Sequence, residues 1–193
     1  MPRRTAEQAA QTRRALIEAG IEHFAERGYA SAKLEELIIS VGVTRGALYH
    51  HFGNKRGFFD AVVEHLLEAL GERVTRASAK AGDGWPGIEA GCSVFLGAAI
   101  DPVYRRVVII DGAAALGWHR YKELDDRYLT RPLQEGLNAA AREHADTEAL
   151  ATALSGAMNE LALWVAGHDK PRAALRRARG TIAALTASAR IDT

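Results

Sequence analysis

Hydrophobic positions recur at three- and four-residue intervals along almost the whole chain, the period of an amphipathic α-helix. Leu16, Ile17, Ile21 and Phe24 form the first stripe. It predicts a helix over residues 5–27, opened by the capping-box pair Thr5 and Gln8 and closed at Gly28, which suits the left-handed position past a helix end. Leu34, Leu37 and Ile38 predict a short helix over 33–41, stopped by Gly42. Another short helix follows over 45–51 with Thr44 as N-cap. Asn54 caps a long helix over 55–80 that carries Phe58, Phe59, Val62, Val63, Leu66, Leu67 and Leu70. The stretch Ala81-Gly82-Asp83-Gly84-Trp85-Pro86-Gly87 reads as a loop.

Beyond that loop, helices are predicted over 88–100 and 103–110, divided by Asp101-Pro102. Residues 111–130 predict one or two helices broken near Gly112 and Gly117. Thr130 and Pro132 open a further helix that reaches His144. The last two helices are predicted over 147–167 and 171–188, split by Asp169-Lys170-Pro171. Runs of alternating branched and aromatic residues are absent apart from Val107-Val108-Ile109-Ile110, and four residues do not make a sheet. The expected fold is all-α.

Composition narrows the class. The chain has 193 residues, with 48% hydrophobic and 25% charged, as in an ordinary globular domain. Its lone cysteine, Cys92, excludes an internal disulfide and a four-cysteine zinc site. No apolar run reads as long enough to span a bilayer, because Asp111 and Glu160 interrupt the best ones, and the start lacks the apolar core of a signal peptide. A cytoplasmic location with no membrane partner is expected. The 25 basic residues nearly balance the 24 acidic ones. Two stretches are locally basic: residues 1–14, with Arg3, Arg4, Arg13 and Arg14 against Glu7, and residues 171–190, with Arg172, Arg176, Arg177, Arg179 and Arg190. Each reads either as a tract for DNA or as a solvated helix face.

The informative stretch is residues 28–55. A short amphipathic helix, the glycine turn Val41-Gly42-Val43 and a second short helix make a helix-turn-helix, whose second helix enters the DNA major groove. Val43 and Leu48 pack inward on Leu34 and Leu37, which leaves Arg45, Ala47, Tyr49 and His50 facing outward. Lys33, Arg45 and Lys55 each fall in the first turn of a predicted helix, where a cation opposes the helix dipole. Three such placements in one unit point to phosphates at these helix ends. Arg45 is a candidate for a bidentate contact with guanine, or for phosphate alone. Arg3 and Arg4 are candidates for an arm that reaches DNA. His50 and His51 are adjacent and point apart on a helix, so they do not read as a metal pair.

The string Gly42-Val43-Thr44-Arg45-Gly46-Ala47-Leu48-Tyr49-His50-His51-Phe52, with Gly28-Tyr29 before it and Lys55 after it, resembles the TetR family of bacterial transcriptional regulators. The resemblance covers roughly the first 70 residues. It implies a helix-turn-helix DNA-binding domain, here 1–54, and a larger helical effector-binding and dimerisation domain, 55–193. It implies a homodimer, repression relieved by a small molecule, and an inverted-repeat site on double-stranded DNA. By position Thr44, Arg45, Ala47 and His50 match the recognition helix, Tyr49 a phosphate-binding tyrosine, and Lys55 a backbone contact. One departure stands at the start of the second helix. Ala32 and Lys33 replace two small hydroxyl residues, leaving Ser31 as the candidate cap and Lys33 as a charged phosphate contact.

In the second half, Leu150, Leu154 and Leu161 on the penultimate helix and Leu175, Ile182 and Leu185 on the last form apolar stripes. With the resemblance they are expected at a four-helix dimer interface. Phe95, Tyr104, Trp118, His119, Tyr121, Tyr128 and Trp164 are the candidate walls of an effector pocket, with the cluster Trp118-His119-Arg120-Tyr121 ranked first. The long helix over 55–80 is expected to couple DNA module and pocket. The rival class is a helical enzyme. Asp101, Asp111, Glu123, Asp125 and Asp126 cluster in the middle, but no Glu-x-x-His pair for a di-metal bundle occurs. There is also no P-loop, serine elbow or dinucleotide fingerprint. No catalysis, cofactor or metal is expected.

Overall fold

The structure, a computed structural model, describes residues 2–140 and 146–192, with side chains over 6–140 and 146–190. Among the described residues every regular element is helical. Helix α1 spans Pro2–Ser31 and is broken at Gly28. Its regular part therefore ends at Arg27, as its stripe predicts. Helical backbone already begins at Pro2, so Thr5 lies inside α1 and not at its cap. The side chains of Arg3 and Arg4, the expected arm, lie outside the described set.

Helix α2 spans Leu34–Val41 and α3 spans Arg45–Phe52. Between them Gly42 adopts φ 71°, and its N–H donates to the Ile38 and Ile39 carbonyls at 3.1 and 3.3 Å. That left-handed turn is the reversal the helix-turn-helix needs. Thr44 caps α3, its Oγ1 accepting from the Ala47 N–H at 3.2 Å. Asn54 caps α4, Lys55–Ala81, accepting from the Gly57 N–H at 2.9 Å. The first turns of α4 are part of the N-terminal core. Phe24 of α1 meets Phe58 and Phe59 at 5.6 and 4.9 Å between ring centroids, and Phe52 of α3 meets Phe58 at 4.9 Å. One buried cluster runs from Leu16 through α4 to Ile182, so α4 belongs to both halves of the molecule.

Helix α5 covers Trp85–Gly97, with Pro86 in its first turn, three residues earlier than predicted. A 3-10 turn over Ala98–Ile100 follows. Asp101 Oδ1 then accepts from the Val103 and Tyr104 N–H groups at 3.0 and 3.2 Å and starts a helical run. That run is wide, with π-type pairing, over Tyr104–Ile110, and continues as α6, Asp111–Leu116. Gly112 does not break it as expected. A Cβ there would sit 2.9 Å from the Tyr121 ring, so the glycine serves a close crossing instead. The corner falls at Gly117.

Helix α7, Trp118–Asp125, passes through a π-type turn at Asp126–Thr130 into α8, Arg131–Ala140, as one rod. A helix opening at Thr130 and Pro132 was expected. Pro132 has no N–H for the Tyr128 carbonyl, and the widened turn absorbs that loss without ending the rod. The expected extension to His144 lies outside the described residues.

Helix α9, Thr147–Gly167, is capped by Asp146, whose Oδ1 accepts from the Ala149 N–H at 2.9 Å. Helix α10 spans Pro171–Asp192. By length and composition α9 is long and apolar enough to cross a membrane, which the interruption by Glu160 had been read to exclude. Its place in the bundle explains that hydropathy: Ala151, Leu154, Met158, Ala162 and Val165 are buried in the core.

Candidate nucleic-acid interface

Leu48 is fully buried and anchors α3, which leaves Arg45 and His50 exposed and Ala47 and Tyr49 half-buried. The Arg45 guanidinium donates to Tyr49 Oη at 3.4 Å, and its Cζ lies 5.3 Å from the centre of that ring. Its other terminal nitrogen stands 3.7 Å from Glu35 Oε1 of α2. The Tyr49 hydrogen bond first, then Tyr49 and Glu35 as charges, raise the Arg45 pKa, so this group stays a cation at any physiological pH. The exposed end of α3 thus carries a permanent cation, shared between Tyr49 and the facing carboxylate of Glu35.

The pattern of bases at helix starts holds at two of the three helices. Helices α3 and α4 begin on Arg45 and Lys55 and have no acid in their first turns. Helix α2 begins after Lys33, which is extended, and its first turn carries Glu35 and Glu36. Those carboxylates meet the α2 dipole themselves. Neither Ser31 nor Lys33 makes a side-chain cap there: the start of α2 has no side-chain cap bond. Lys55 is already engaged inside the chain. Its Nζ donates to the Ala30 carbonyl at 3.3 Å and lies 4.9 Å over the Tyr29 ring. His50 and His51 are neighbours with ring centroids 5.7 Å apart, the latter set against Phe52.

The N-terminal helix-turn-helix module is fastened to the rest of the chain by polar contacts that sequence pattern does not signal. The Tyr29 N–H donates to Asp111 Oδ2 at 2.7 Å, and Arg106 Nε donates to the same oxygen at 3.1 Å. Gly28 is required here twice over. Its φ is 71°, and a Cβ would lie 1.8 Å from the Arg106 guanidinium. Arg56 of α4 donates to the Leu116 carbonyl at the end of α6. Helix α7 and the π-type turn after it hold the same face of α4 one and two turns further on. Arg120 Nε and Nη2 reach Asp60 at 2.9 and 2.8 Å, and Arg127 reaches Glu64 at 2.9 Å. The Asp60 hydrogen bonds foremost hold the Arg120 pKa above its ordinary value, against the cost of burial.

At its far end α4 lines a cavity of about 410 Å³ with Val74, Thr75, Ser78 and Ala79. Ile88, Cys92 and Phe95 of α5, Leu129, Leu133 and Met158 complete the apolar wall, and the exposed carboxylates Asp83 and Glu135 rim it. No Lys, Arg or His is among the described residues that line it. Burial pushes the Cys92 thiol up to about 11, so it presents as a neutral group.

Of the seven candidate pocket residues, only Phe95 lines this cavity. Tyr104 is buried under Arg73. Trp118 is 66% exposed, and His119 reaches only Glu123, at 3.5 Å. Tyr121 is buried against Gly112, and burial raises its phenol pKa. The Tyr128 hydroxyl donates to Glu64 at 3.1 Å. Trp164 lies on the α9–α10 surface with Arg177 stacked 5.0 Å from its ring centre. Aromatics at helical spacing are shared among core and surface. Small residues, Gly84, Gly136 and Ala139, border the space, while Gly87 and Gly91 let α5 approach Ser78 of α4 closely; the pattern of aromatics carries no sign of either.

The candidate interface residues also divide. Leu154, Leu175 and Ile182 are 4%, 5% and 3% exposed, consumed by the core of the single chain. They are therefore out of a partner's reach. Leu150 and Leu161 are half-buried, and Leu185 is exposed, as are Leu163 and Trp164.

Residues 16–62 match the model of the bacterial regulatory proteins of the tetR family, and residues 85–188 match the tetracyclin repressor-like C-terminal domain. The chain belongs to the TetR family. The solved structure of a TetR-family transcriptional regulator from Pectobacterium atrosepticum superposes with a TM-score of 0.79 at 31% identity, over 93% of this chain and 94% of that one. The HTH-type transcriptional regulator TtgR of Pseudomonas putida is 42% identical over 78 residues, 40% of this chain. AcrR of Shigella flexneri, also an HTH-type transcriptional regulator, is 34% identical over 80 residues, 42% of this chain. The chain spans 37% of the length of each of these two curated relatives. As a TetR-family member it is a transcriptional regulator, with α2 and α3 as its helix-turn-helix.

Proposed function

We propose that this regulator is a homodimeric, sequence-specific DNA-binding repressor, released from an inverted-repeat operator by a small molecule held in the cavity beside Phe95. One observation carries the reading. Helix α4 is continuous, with Phe58 and Phe59 in the core of the DNA module and Val74, Thr75 and Ser78 on the cavity wall. A molecule that prefers one tilt of α4 therefore biases the position of α3. It shifts the DNA equilibrium only by its preference between the two states.

In this reading Thr44, Arg45, Ala47 and His50 meet bases and phosphates, and Lys33, Tyr49 and Lys55 meet phosphates. The partner chain packs on the exposed parts of α9 and α10 around Trp164 and Leu185, where Gly156 and Gly180 leave open space. A two-fold axis there sets two recognition helices about one DNA turn, ~34–36 Å, apart. The effector is compact and mostly apolar. The rim carboxylates and the lack of a base among the described lining residues favour a neutral or cationic molecule over a carboxylate.

The test uses operator-bound protein and a matched series: 4-phenylbutanol, 4-phenylbutylamine and 4-phenylbutanoate. The alcohol or the amine raises the melting temperature and releases DNA, while the acid does neither. Gly136→Met, which places a side chain towards Ile88 in the cavity, keeps DNA binding and loses the release. Release that survives Gly136→Met places the effector elsewhere.

A further inference from the structure

The first turn of α2 holds two carboxylates with different surroundings. Glu36 faces α1, 3.6 Å from Arg27, whereas Glu35 faces α3, 3.7 Å from Arg45. Either acid alone answers the α2 dipole. Glu35, however, stands beside the residue that α3 would present first to DNA. Both members of that pair are largely exposed, at 67% for the Arg45 side chain and 63% for Glu35, so the pair is held weakly and is free to exchange partners.

We infer that Glu35 is a specificity-determining residue that competes with DNA phosphate for Arg45, making the arginine's contact conditional on the correct base. The inference rests on the reading that Arg45 meets DNA. On a random duplex the only exchange open to Arg45 is Glu35 for a single phosphate. The two are alike in kind and exposure, and Glu35 is left facing the phosphates, so the exchange gives little. On the operator a bidentate contact with guanine outweighs the carboxylate. Glu35 thus acts against the wrong partner more than for the right one. Tyr49 serves the same end by holding the guanidinium from the other side at 3.4 Å, so that it moves between few positions.

The experiment measures affinity for the operator and for a scrambled duplex at three salt concentrations. The proteins are wild type, Glu35→Gln, Arg45→Ala, the double variant, and Glu36→Gln as control, each checked for an unchanged circular dichroism spectrum. Glu35→Gln is expected to raise affinity for the scrambled duplex about fivefold and for the operator less than about twofold. Its salt slope on the scrambled duplex should steepen by about 0.9, one more phosphate neutralised. The change should vanish in the Arg45→Ala background and be absent in Glu36→Gln. An unchanged affinity ratio in Glu35→Gln, with Arg45→Ala still weakening binding, overturns the inference alone. So does an equal gain in the Arg45→Ala background, which reports bulk charge only. Arg45→Ala without effect on either duplex removes the parent reading and the inference with it.

Discussion

The Tyr29 N–H and the Asp111 carboxylate, 82 positions apart in sequence, meet at 2.7 Å and pin the end of α1 to the start of α6. Arg106 completes the site from the same side. A charge-assisted hydrogen bond to a partly buried donor contributes about 1.5–3 kcal/mol. Asp111→Ala is therefore expected to lower unfolding free energy by about 2 kcal/mol, read as a shift of the urea midpoint. It should also weaken the link between cavity and DNA module, so that a molecule still binds but releases less DNA. Full release with reduced stability would make the contact structural only.

The DNA face predicts two distinct phenotypes. Tyr49→Phe and Lys55→Ala should weaken binding to operator and scrambled duplexes alike, and Lys55→Ala should reduce the salt slope by about 1. Arg45→Ala should instead weaken the operator complex more than the scrambled one and relax sequence preference at one position of each half-site, by roughly 1–3 kcal/mol. Titrations of both duplexes over salt separate these outcomes. A salt slope that Lys55→Ala leaves unchanged would mean that its ammonium stays on the Ala30 carbonyl and Tyr29 ring in the complex.

Cys92 should be slow to react. Burial raises its thiol from about 9 to about 11, so the nucleophilic thiolate is scarce near neutrality. Iodoacetamide labelling at pH 7.5 is expected to be far slower in the folded protein than in urea. The sign of the pH effect on stability follows. The folded state holds this proton more tightly, so its contribution is intact below about pH 9 and is lost as pH rises towards about 11. Cys92→Ser should remove that part of the alkaline decline in melting temperature.

Association and folding should separate by residue. Gly180→Arg adds bulk where nothing lies within 4 Å, so the chain folds normally and sediments as a monomer. Leu154→Ala leaves a cavity in a site only 4% exposed and should cost about 2–5 kcal/mol of stability before it touches pairing. A Gly180→Arg protein that remains dimeric would move the interface off this face of α10.

The N-terminal half was legible because its signals are local. Gly28, Gly42, Thr44 and Asn54 each act within a turn or a cap, and each sits where its chemistry places it. What stayed hidden depends on distant partners. The mid-chain acids suggested a site, yet they serve structure: Asp101 caps a helical run, Asp111 holds Tyr29, and Asp125 accepts from Lys122, Thr130, Ser155 and Asn159. Gly112 and Pro132 looked like breaks because the Tyr121 crossing and the π-type turn that tolerate them are tertiary features. The stripe Leu154, Leu175 and Ile182 reads by itself as core sooner than interface, and only the family resemblance turns it towards a dimer interface. Only burial decides, and it assigns these residues to the core.

The central claim is that two copies of α3 read a two-fold-symmetric DNA site. Selection of bound fragments from a random duplex pool at physiological salt, followed by a footprint, tests it most directly. The expected result is enrichment of an inverted repeat whose half-site centres are one helical turn, about 10–10.5 base pairs, or a multiple of it, apart. A folded protein that enriches no sequence, or only an unrepeated one, would contradict it.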